Sequence, residues 1–513
     1  MASDRLHNSM KNIASGFISR IAVLLLGMVV RTVFIKELGN DYLSVNGLYS
    51  NILGMLSLAE LGFGTAVVYS MYKPLAEQDE SKLASLMRMY KYVYRVIGWV
   101  IFLLGISIIP FMDYIIKEPP DIPSLTFYYI LFLLNAMISY WFWGYKKSLL
   151  LADQKEYITT QIRIICSVIK SIFQILILIV LHSFTGYLIL QILTTIGENL
   201  VAALYTQKYY HLPKEEDAQP LDQEERITIW KNVKALSLSR LGHVILNSSD
   251  NIIISSIVGV SWVGLLSNYT LIVDAITGVL CQITSALSAS MGNFFISKTK
   301  KEGYQLFKRI EFMNSWLYGA ASVCLITLFN PFIELWIGEE FLLKEVVVAV
   351  IALNFFVQGF MNTIWTFRTT LGLFTQGWIR PLVLAIVNIV MSIILGSFYG
   401  IFGILISTFI ARASVSLWYD PLIIHKYGFN TSIKPFIKTY MIRIPELLLI
   451  TCTTLSLRFW IMSYGVTILS FLLLMILTPS VIFLGFWIFT HRCEEYQYLK
   501  STALTRILHR PNK

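Results

Sequence analysis

The chain has 513 residues, of which 56% are hydrophobic and 14% charged, with a net charge of +10. A soluble protein carries roughly 25% charge, so this composition excludes a globule whose whole surface faces water. The basic residues lie in short clusters with no basic domain, which excludes nucleic acid as a partner, and the five solitary cysteines show neither a disulfide framework nor metal-ligand spacing.

Apolar stretches of about 20 residues, the length a bilayer requires, recur along the whole chain. They predict an all-α integral membrane protein of about fourteen transmembrane helices. Six fall near 13–35, 43–72, 92–112, 124–145, 158–181 and 185–206. The first is too long for a signal-peptide core and has no small-residue cleavage site, so it is read as a retained span. Residues 80–95 are basic and aromatic and predict an amphipathic surface helix leading into the third span. After a polar linker, six more spans fall near 233–258, 262–291, 308–329, 345–367, 379–397 and 400–420, and two close the chain near 436–457 and 465–490.

Most basic residues fall on one set of connecting loops and on both tails; the opposite loops hold only Lys36, Lys117, Lys344 and Arg458. The positive-inside rule places both termini in the cytoplasm.

The opening of the first span recurs 220 residues later. Lys11, Asn12, Ser19 and Arg20 return as Lys231, Asn232, Ser239 and Arg240, and Gly39, Tyr49 and Leu86 are matched by Gly259, Tyr269 and Leu306. Further on the offset drifts, and Pro110-Phe111 matches Pro331-Phe332. Each repeat has an even number of spans, so the two share one orientation, as in transporters with parallel repeats. The expected organisation is an N-terminal six-helix lobe at 1–206, a cytoplasmic linker at 207–231, a second six-helix lobe at 232–430, two additional transmembrane helices at 431–490 and a cytoplasmic tail at 491–513.

Eight basic residues lie within the predicted spans: Arg20, Arg31, Arg163, Lys170, Arg240, Arg368, Arg412 and Arg443. A charge there is costly unless it faces a cavity or a partner. Arg20 and Arg31 share a helix face, as do Arg240, His243, Asn247 and Asn251, and Arg163, Ser167, Lys170 and Gln174. Arg20, Arg31, Arg163, Lys170, Arg240 and Arg412 are the candidate substrate-binding residues of a cationic cavity. For Arg20 and Arg240, about two turns from the cytoplasmic surface, snorkelling is the alternative; Arg443 reads as a structural anchor. The acids within spans, Glu60, Glu198, Asp250 and Asp274, serve either ion coupling or charge pairing. Arg31 is matched by Asn251, and Lys170 has no basic counterpart in the second half, so the charge is weighted to the first. No catalytic residue, metal site or cofactor is expected: there is no phosphate-binding P-loop to supply ATP drive, and no GxSxG or HExxH motif. Proton or sodium coupling is the remaining drive.

Two segments carry a resemblance. Glu60-Leu-Gly-Phe-Gly-Thr-Ala-Val-Val-Tyr-Ser-Met-Tyr-Lys-Pro-Leu-Ala76 closes the second span, and Leu151-Ala-Asp-Gln-Lys-Glu-Tyr157 joins spans four and five. Both resemble the Wzx-type polysaccharide flippases of the multidrug/oligosaccharidyl-lipid/polysaccharide exporter superfamily, and the resemblance covers essentially the whole chain. It implies two six-helix lobes in a V around a central cavity. It also implies a task, turning undecaprenyl-pyrophosphate-linked oligosaccharide across the bacterial cell membrane for capsule or exopolysaccharide synthesis. The implied partners are that lipid-linked substrate, membrane lipids, and the polymerase and glycosyltransferases of the pathway. A flippase for lipid II or a teichuronic-type precursor is the near alternative. A multidrug cation antiporter fits less well, because the first span holds arginines and no acid. A membrane polysaccharide polymerase is disfavoured by the short outer loops.

Overall fold

The computed structural model describes the backbone of residues 2–60, 63–210, 212–213, 218–297, 299–373, 376, 379–463 and 465–508. It describes the side chains of these except 2–14, 17, 58–59, 232, 235–247, 283–297 and 502–508. The described residues form helices and no strand. In chain order they are α1 (Ala2–Leu56), α2 (Phe63–Glu77), α3 (Glu80–Ile108), α4 (Met112–Ile115), α5 (Leu125–Trp141), α6 (Lys147–Ala152), α7 (Glu156–Leu181) and α8 (Phe184–Tyr209). There follow α9 (Gln223–Ile257), α10 (Val260–Ser297), α11 (Lys300–Ile337), α12 (Glu345–Thr370), α13 (Arg380–Ile423), α14 (Lys434–Met462), α15 (Ile468–Thr490) and α16 (Glu494–Leu508).

Among the described residues ten helices are long and apolar enough to cross a membrane, or eleven if the bent pair Leu125–Trp141 and Gly144–Ala152 is one span. With no water in the hydrocarbon layer, a helix is one of the few ways to satisfy its own backbone there. The chain is a multi-pass membrane protein. The expected fourteen spans do not map one to one onto these helices. Two of the ten run far past the length of one bilayer crossing and are broken inside, α1 at Gly39 (φ 84°) and α13 at Gly400 (φ 59°). The polar stripe expected on α9 at Arg240, His243 and Asn247 lies outside the residues whose side chains are described.

Local chemistry explains several ends. Asp79 accepts a hydrogen bond from the Lys82 amide at 2.9 Å and so starts α3. Thr299 and Glu302 form a reciprocal capping box on α11, as Thr467 and Ser470 do on α15. The surface helix expected at 80–95 is instead the first half of α3. Its Leu83, Ala84, Leu86, Met87 and Tyr90 are buried, so protein rather than lipid headgroups receives its apolar face. Lys82 pairs with Glu225 and Arg88 donates to the Ala218 carbonyl, which holds the described end of the linker against α3.

By contacts the chain divides into two compact units. The first is Met1–Ser267 with Pro381–Ile404; the second is Asn268–Arg380 with Leu405–Lys513. In the first, α1 packs against α7 and α9, α3 against α5, and α7 against α8. In the second, α11 is the hub, touching α12, α14 and α15.

The sequence repeat has a structural counterpart. Gly39 and Gly259 both adopt positive φ, 84° and 137°, at the turn after the first long helix of their repeat. That conformation is open to glycine and costly for residues with a Cβ. Tyr49 and Tyr269 are both fully buried. Tyr49 donates to the Leu125 carbonyl at 3.1 Å, and Tyr269 donates to Asn330 Oδ1 at 2.7 Å. Each phenol ties its helix to a neighbour, which keeps a buried hydroxyl from going unsatisfied.

Candidate functional site: a polar cavity in the first unit

The second span is not one continuous helix. After Leu56 the backbone tightens into a 3₁₀ turn, Ser57–Glu60, and α2 begins at Phe63. Such tight stretches within a span accompany functional hinges. Glu60, at the end of the turn, is half-buried. Tyr94 of α3 donates its hydroxyl to Oε1, and Tyr140 of α5 donates to Oε2 at 2.9 Å. Tyr90 sits one turn before Tyr94 and donates to its hydroxyl at 3.1 Å.

Glycine makes this cluster fit. A Cβ on Gly64 would lie 2.9 Å from the Tyr90 hydroxyl and 3.5 Å from Glu60 Oε1. A Cβ on Gly144 would meet the Ser139 carbonyl oxygen at 2.3 Å. Both close approaches open room beside the carboxylate.

That room is a cavity of about 230 Å³, whose walls include Glu60, Tyr94, Tyr140, Lys147, Glu198 and Asn199. Lys147 and Glu198 form an ion pair at 2.6 Å across it. Asn199 is buried and donates to the Ser139 carbonyl at 3.4 Å. Lys170 of α7 lies within electrostatic reach of Glu198. The cavity wall thus offers two carboxylates, one ammonium group and two phenols inside one membrane-embedded unit. At about 30 Å³ per water, the space could hold several waters or one small polar group. Among the described residues, no group of His, Cys, Asp and Glu side chains has the clustering a metal ion needs.

No protein-family model and no curated protein sequence matches the chain. Solved structures do match. An inward-facing multidrug resistance MATE transporter of the MOP superfamily aligns over 80% of this chain and 99% of its own, at 14% identity and TM-score 0.62. The lipid II flippase MurJ, in an inward closed conformation, aligns over 93% and 98%, at 16% identity and TM-score 0.62. A Pyrococcus furiosus MOP-superfamily transporter, described as having a binding pocket of reversed polarity, aligns over 81% and 96%, at 15% identity and TM-score 0.53.

The fold is that of the MOP-superfamily transporters.

On this MOP-type fold the candidate cations part ways. Arg20 and Arg163 are exposed. Arg31 is half-buried, donates to Ser267 Oγ at 3.0 Å, and lies within electrostatic reach of Tyr187. Gln174, on the predicted stripe of α7, is 2% exposed and interacts with Tyr187. Lys170 is half-buried and lies within electrostatic reach of Glu198. Arg412 is buried in the second unit and donates to the Asn354 carbonyl at 3.1 Å. The side chain of Arg240 lies outside the described residues. The structure therefore brings Lys170, Glu60 and Glu198 to one region and leaves Arg20 and Arg163 on the surface of the protein.

The acids also separate. Glu198 is charge-paired with Lys147, a residue that hydropathy assigns to a loop. Glu60 is held by tyrosines and, among the described residues, makes no ion pair. Asp250 is half-buried next to Ser249, whose hydroxyl approaches Asn388 Oδ1 at 3.5 Å. Asp274 is exposed on α10.

Sequence reasoning passed over Tyr90, Tyr94, Tyr140 and Lys147. Tyr90 and Tyr94 are spaced i, i+4, a legible signal for one helix face. Nothing in the sequence brings Tyr140 to the same carboxylate. Also passed over was a cluster in the second unit. Asp420, fully buried, binds Arg368 at 2.6 Å and also Arg380, and accepts from Trp365 Nε1 at 3.3 Å. Arg443, the expected anchor, pairs with buried Glu311 at 3.0 Å and with Ser315 at 2.8 Å.

Proposed function

We propose that the chain is a flippase for an undecaprenyl-pyrophosphate-linked oligosaccharide in the bacterial cell membrane, serving capsule or exopolysaccharide synthesis. The observation that carries this reading is the combination of a MOP-type fold with intramembrane cations weighted to the first half. Arginine and lysine bind the concentrated charge of a pyrophosphate through charge-assisted hydrogen bonds. In the proposal, two lobes at 1–206 and 232–430 work by alternating access, with both termini cytoplasmic. Arg20, Arg31, Arg163, Lys170, Arg240 and Arg412 guide the headgroup, and an ion gradient drives the cycle. The segments Glu60–Ala76 and Leu151–Tyr157 support the Wzx-type branch.

A lipid II flippase is the second reading. The likeness to MurJ spans 93% of this chain against 80% for the MATE transporter, which favours a flippase over a cation exporter.

The test replaces Arg20, Lys170 and Arg240 together with alanine. Surface polysaccharide should fall by an order of magnitude or more while the protein level in the membrane is unchanged. Normal export from the triple variant overturns the assignment of the headgroup site. Loss of lipid II flipping, with polysaccharide intact, moves the substrate to the second reading.

A further inference from the structure

We infer that the polar cavity of the first unit is a subsite for one neutral sugar ring, whose hydroxyls are read by Lys147, Glu198 and Asn199. The inference deepens the oligosaccharide-flippase reading and rests on it for the consequence in transport; the binding itself stands on the make-up of the cavity.

Charge balance points to a neutral ligand. Glu60, Lys147 and Glu198 line the cavity, and Lys170 lies within electrostatic reach of Glu198. Two carboxylates stand against two amines, so the formal charges cancel. A phosphate entering here would face both carboxylates, and an organic cation would face an ammonium already spent on Glu198. Taking either in without a dedicated counter-charge is costly away from water.

The open hydrogen-bonding capacity suits hydroxyls. Glu198 engages Lys147 through Oε1 at 2.6 Å, and among the described residues its Oε2 accepts no hydrogen bond. Asn199 spends its amide N–H on the Ser139 carbonyl at 3.4 Å, and its Oδ1 is likewise open among the described residues. The Lys147 ammonium carries three N–H groups, of which Glu198 takes one. Acceptors and donors thus border one space. A hydroxyl both donates and accepts, so neighbouring hydroxyls of a ring can use both kinds.

Size and walls agree. The volume of about 230 Å³ equals roughly seven waters at about 30 Å³ each, room for a single pyranose and not for a chain of them. Tyr94 and Tyr140 also line it, and their hydroxyls are taken by Glu60. Their ring carbons remain as apolar wall for the C–H surface of a sugar. An apolar wall with a small number of convergent polar groups is the make-up of a small-molecule site. The side chains of Lys147 and Glu198 are 30% and 25% exposed, so the site has an open side.

The consequence is selectivity. Groups placed to pair with hydroxyls are left unsatisfied by a ring that lacks one, so the site discriminates between sugars instead of merely admitting them.

The experiment uses the full chain in lipid nanodiscs and saturation-transfer NMR. The probes are methyl α-D-glucopyranoside, methyl α-D-galactopyranoside and methyl N-acetyl-α-D-glucosaminide, with empty nanodiscs as the blank. At least one probe should receive saturation from the wild type. Glu198→Ala and Asn199→Ala should each weaken that binding about tenfold or more, and inorganic phosphate should not displace the sugar. If Asn199→Ala fails to fold, Glu198→Ala, whose ion pair is partly solvated, carries the test. No transfer to any of the three probes, unchanged transfer in the folded variants, or displacement by phosphate overturns the proposal. In liposomes, Glu198→Ala should slow the flipping of lipid-linked oligosaccharide by a similar factor. Sugar binding as expected in a chain that flips no such lipid would overturn the flippase reading and leave the site. Flipping unchanged in Glu198→Ala would do the reverse.

Discussion

The two compact units treat buried charge in opposite ways. In the second, carboxylates are closed against arginine: Asp420 by Arg368 and Arg380, Glu311 by Arg443 and the Tyr440 hydroxyl, with Arg443 also donating to Ser315. These groups are almost wholly inaccessible, and Arg368 is further spent on the carbonyls of Leu373 and Gln376. In the first, carboxylates face a cavity: Glu60 with phenols only, Glu198 with a half-exposed lysine. The two units thus differ in electrostatics. One has put its charges into rigidity and the other has kept them where water or substrate can reach. The proline pair shows the same divergence in the backbone. Pro110 lies in a 3₁₀ turn that follows the end of α3, whereas Pro331 sits inside continuous α11.

The contrast breaks most visibly at Asp420. Replacing it by alanine leaves Arg368 and Arg380 buried without their counter-charge, which should cost about 3–5 kcal/mol. Thermal unfolding of the purified protein should show a large loss for Asp420→Ala and a loss of less than about 1 kcal/mol for Glu198→Ala, whose ion pair is partly solvated. Equal losses would mean that the first unit's cavity is as structural as the second unit's ion pairs.

A middle-sized effect should appear at the repeated turn. At Gly39 a Cβ meets nothing within 4 Å, so Gly39→Ala isolates the backbone cost of a positive φ. That cost is about 1–2 kcal/mol. Stability measured by denaturation should fall by this amount; no change would show that the turn relaxes freely.

The smallest effect concerns the tail. Glu495 on α16 is partly buried, which raises its pKa, but the hydrogen bond from Lys308 at 2.9 Å, a backbone amide and the charges of Lys308 and Arg443 together outweigh burial and hold the carboxyl below the usual range. With the folded value below the unfolded one, this pair stabilises the docked tail above about pH 4.3 and ceases to do so as pH falls through the folded value. Arg309, stacked 3.4 Å over the Tyr498 ring, should hold part of the contact. Proteolysis of the tail should therefore rise modestly on acidification, and Glu495→Gln should remove that pH response.

Much of the architecture was legible from residue types alone. Long apolar runs forced helices, because a backbone in hydrocarbon must satisfy itself. Gly39 and Gly259 are matched there only as members of the repeat; the positive φ they share is a finding of the structure. Hydropathy could not decide how many helices those runs become, since a bend at Gly39 or Gly400 leaves the apolar run unbroken. It also misplaced residues 80–95, whose apolar face reads the same whether lipid or protein covers it.

The sequence by itself determined that the protein spans a membrane many times, that its chain repeats, and that ionisable groups lie where only function or pairing retains them. Only the tertiary structure decided which of those groups are paired. A helical period places residues on a face but says nothing of what packs there. Thus Glu60 and Asp420 look alike in the chain, while one meets tyrosines from α3 and α5 beside an open cavity and the other is fully buried against two arginines. The physical reason is range: hydrogen bonds and ion pairs act over about 3 Å, and what lies within 3 Å of a side chain is set by helices distant in the chain.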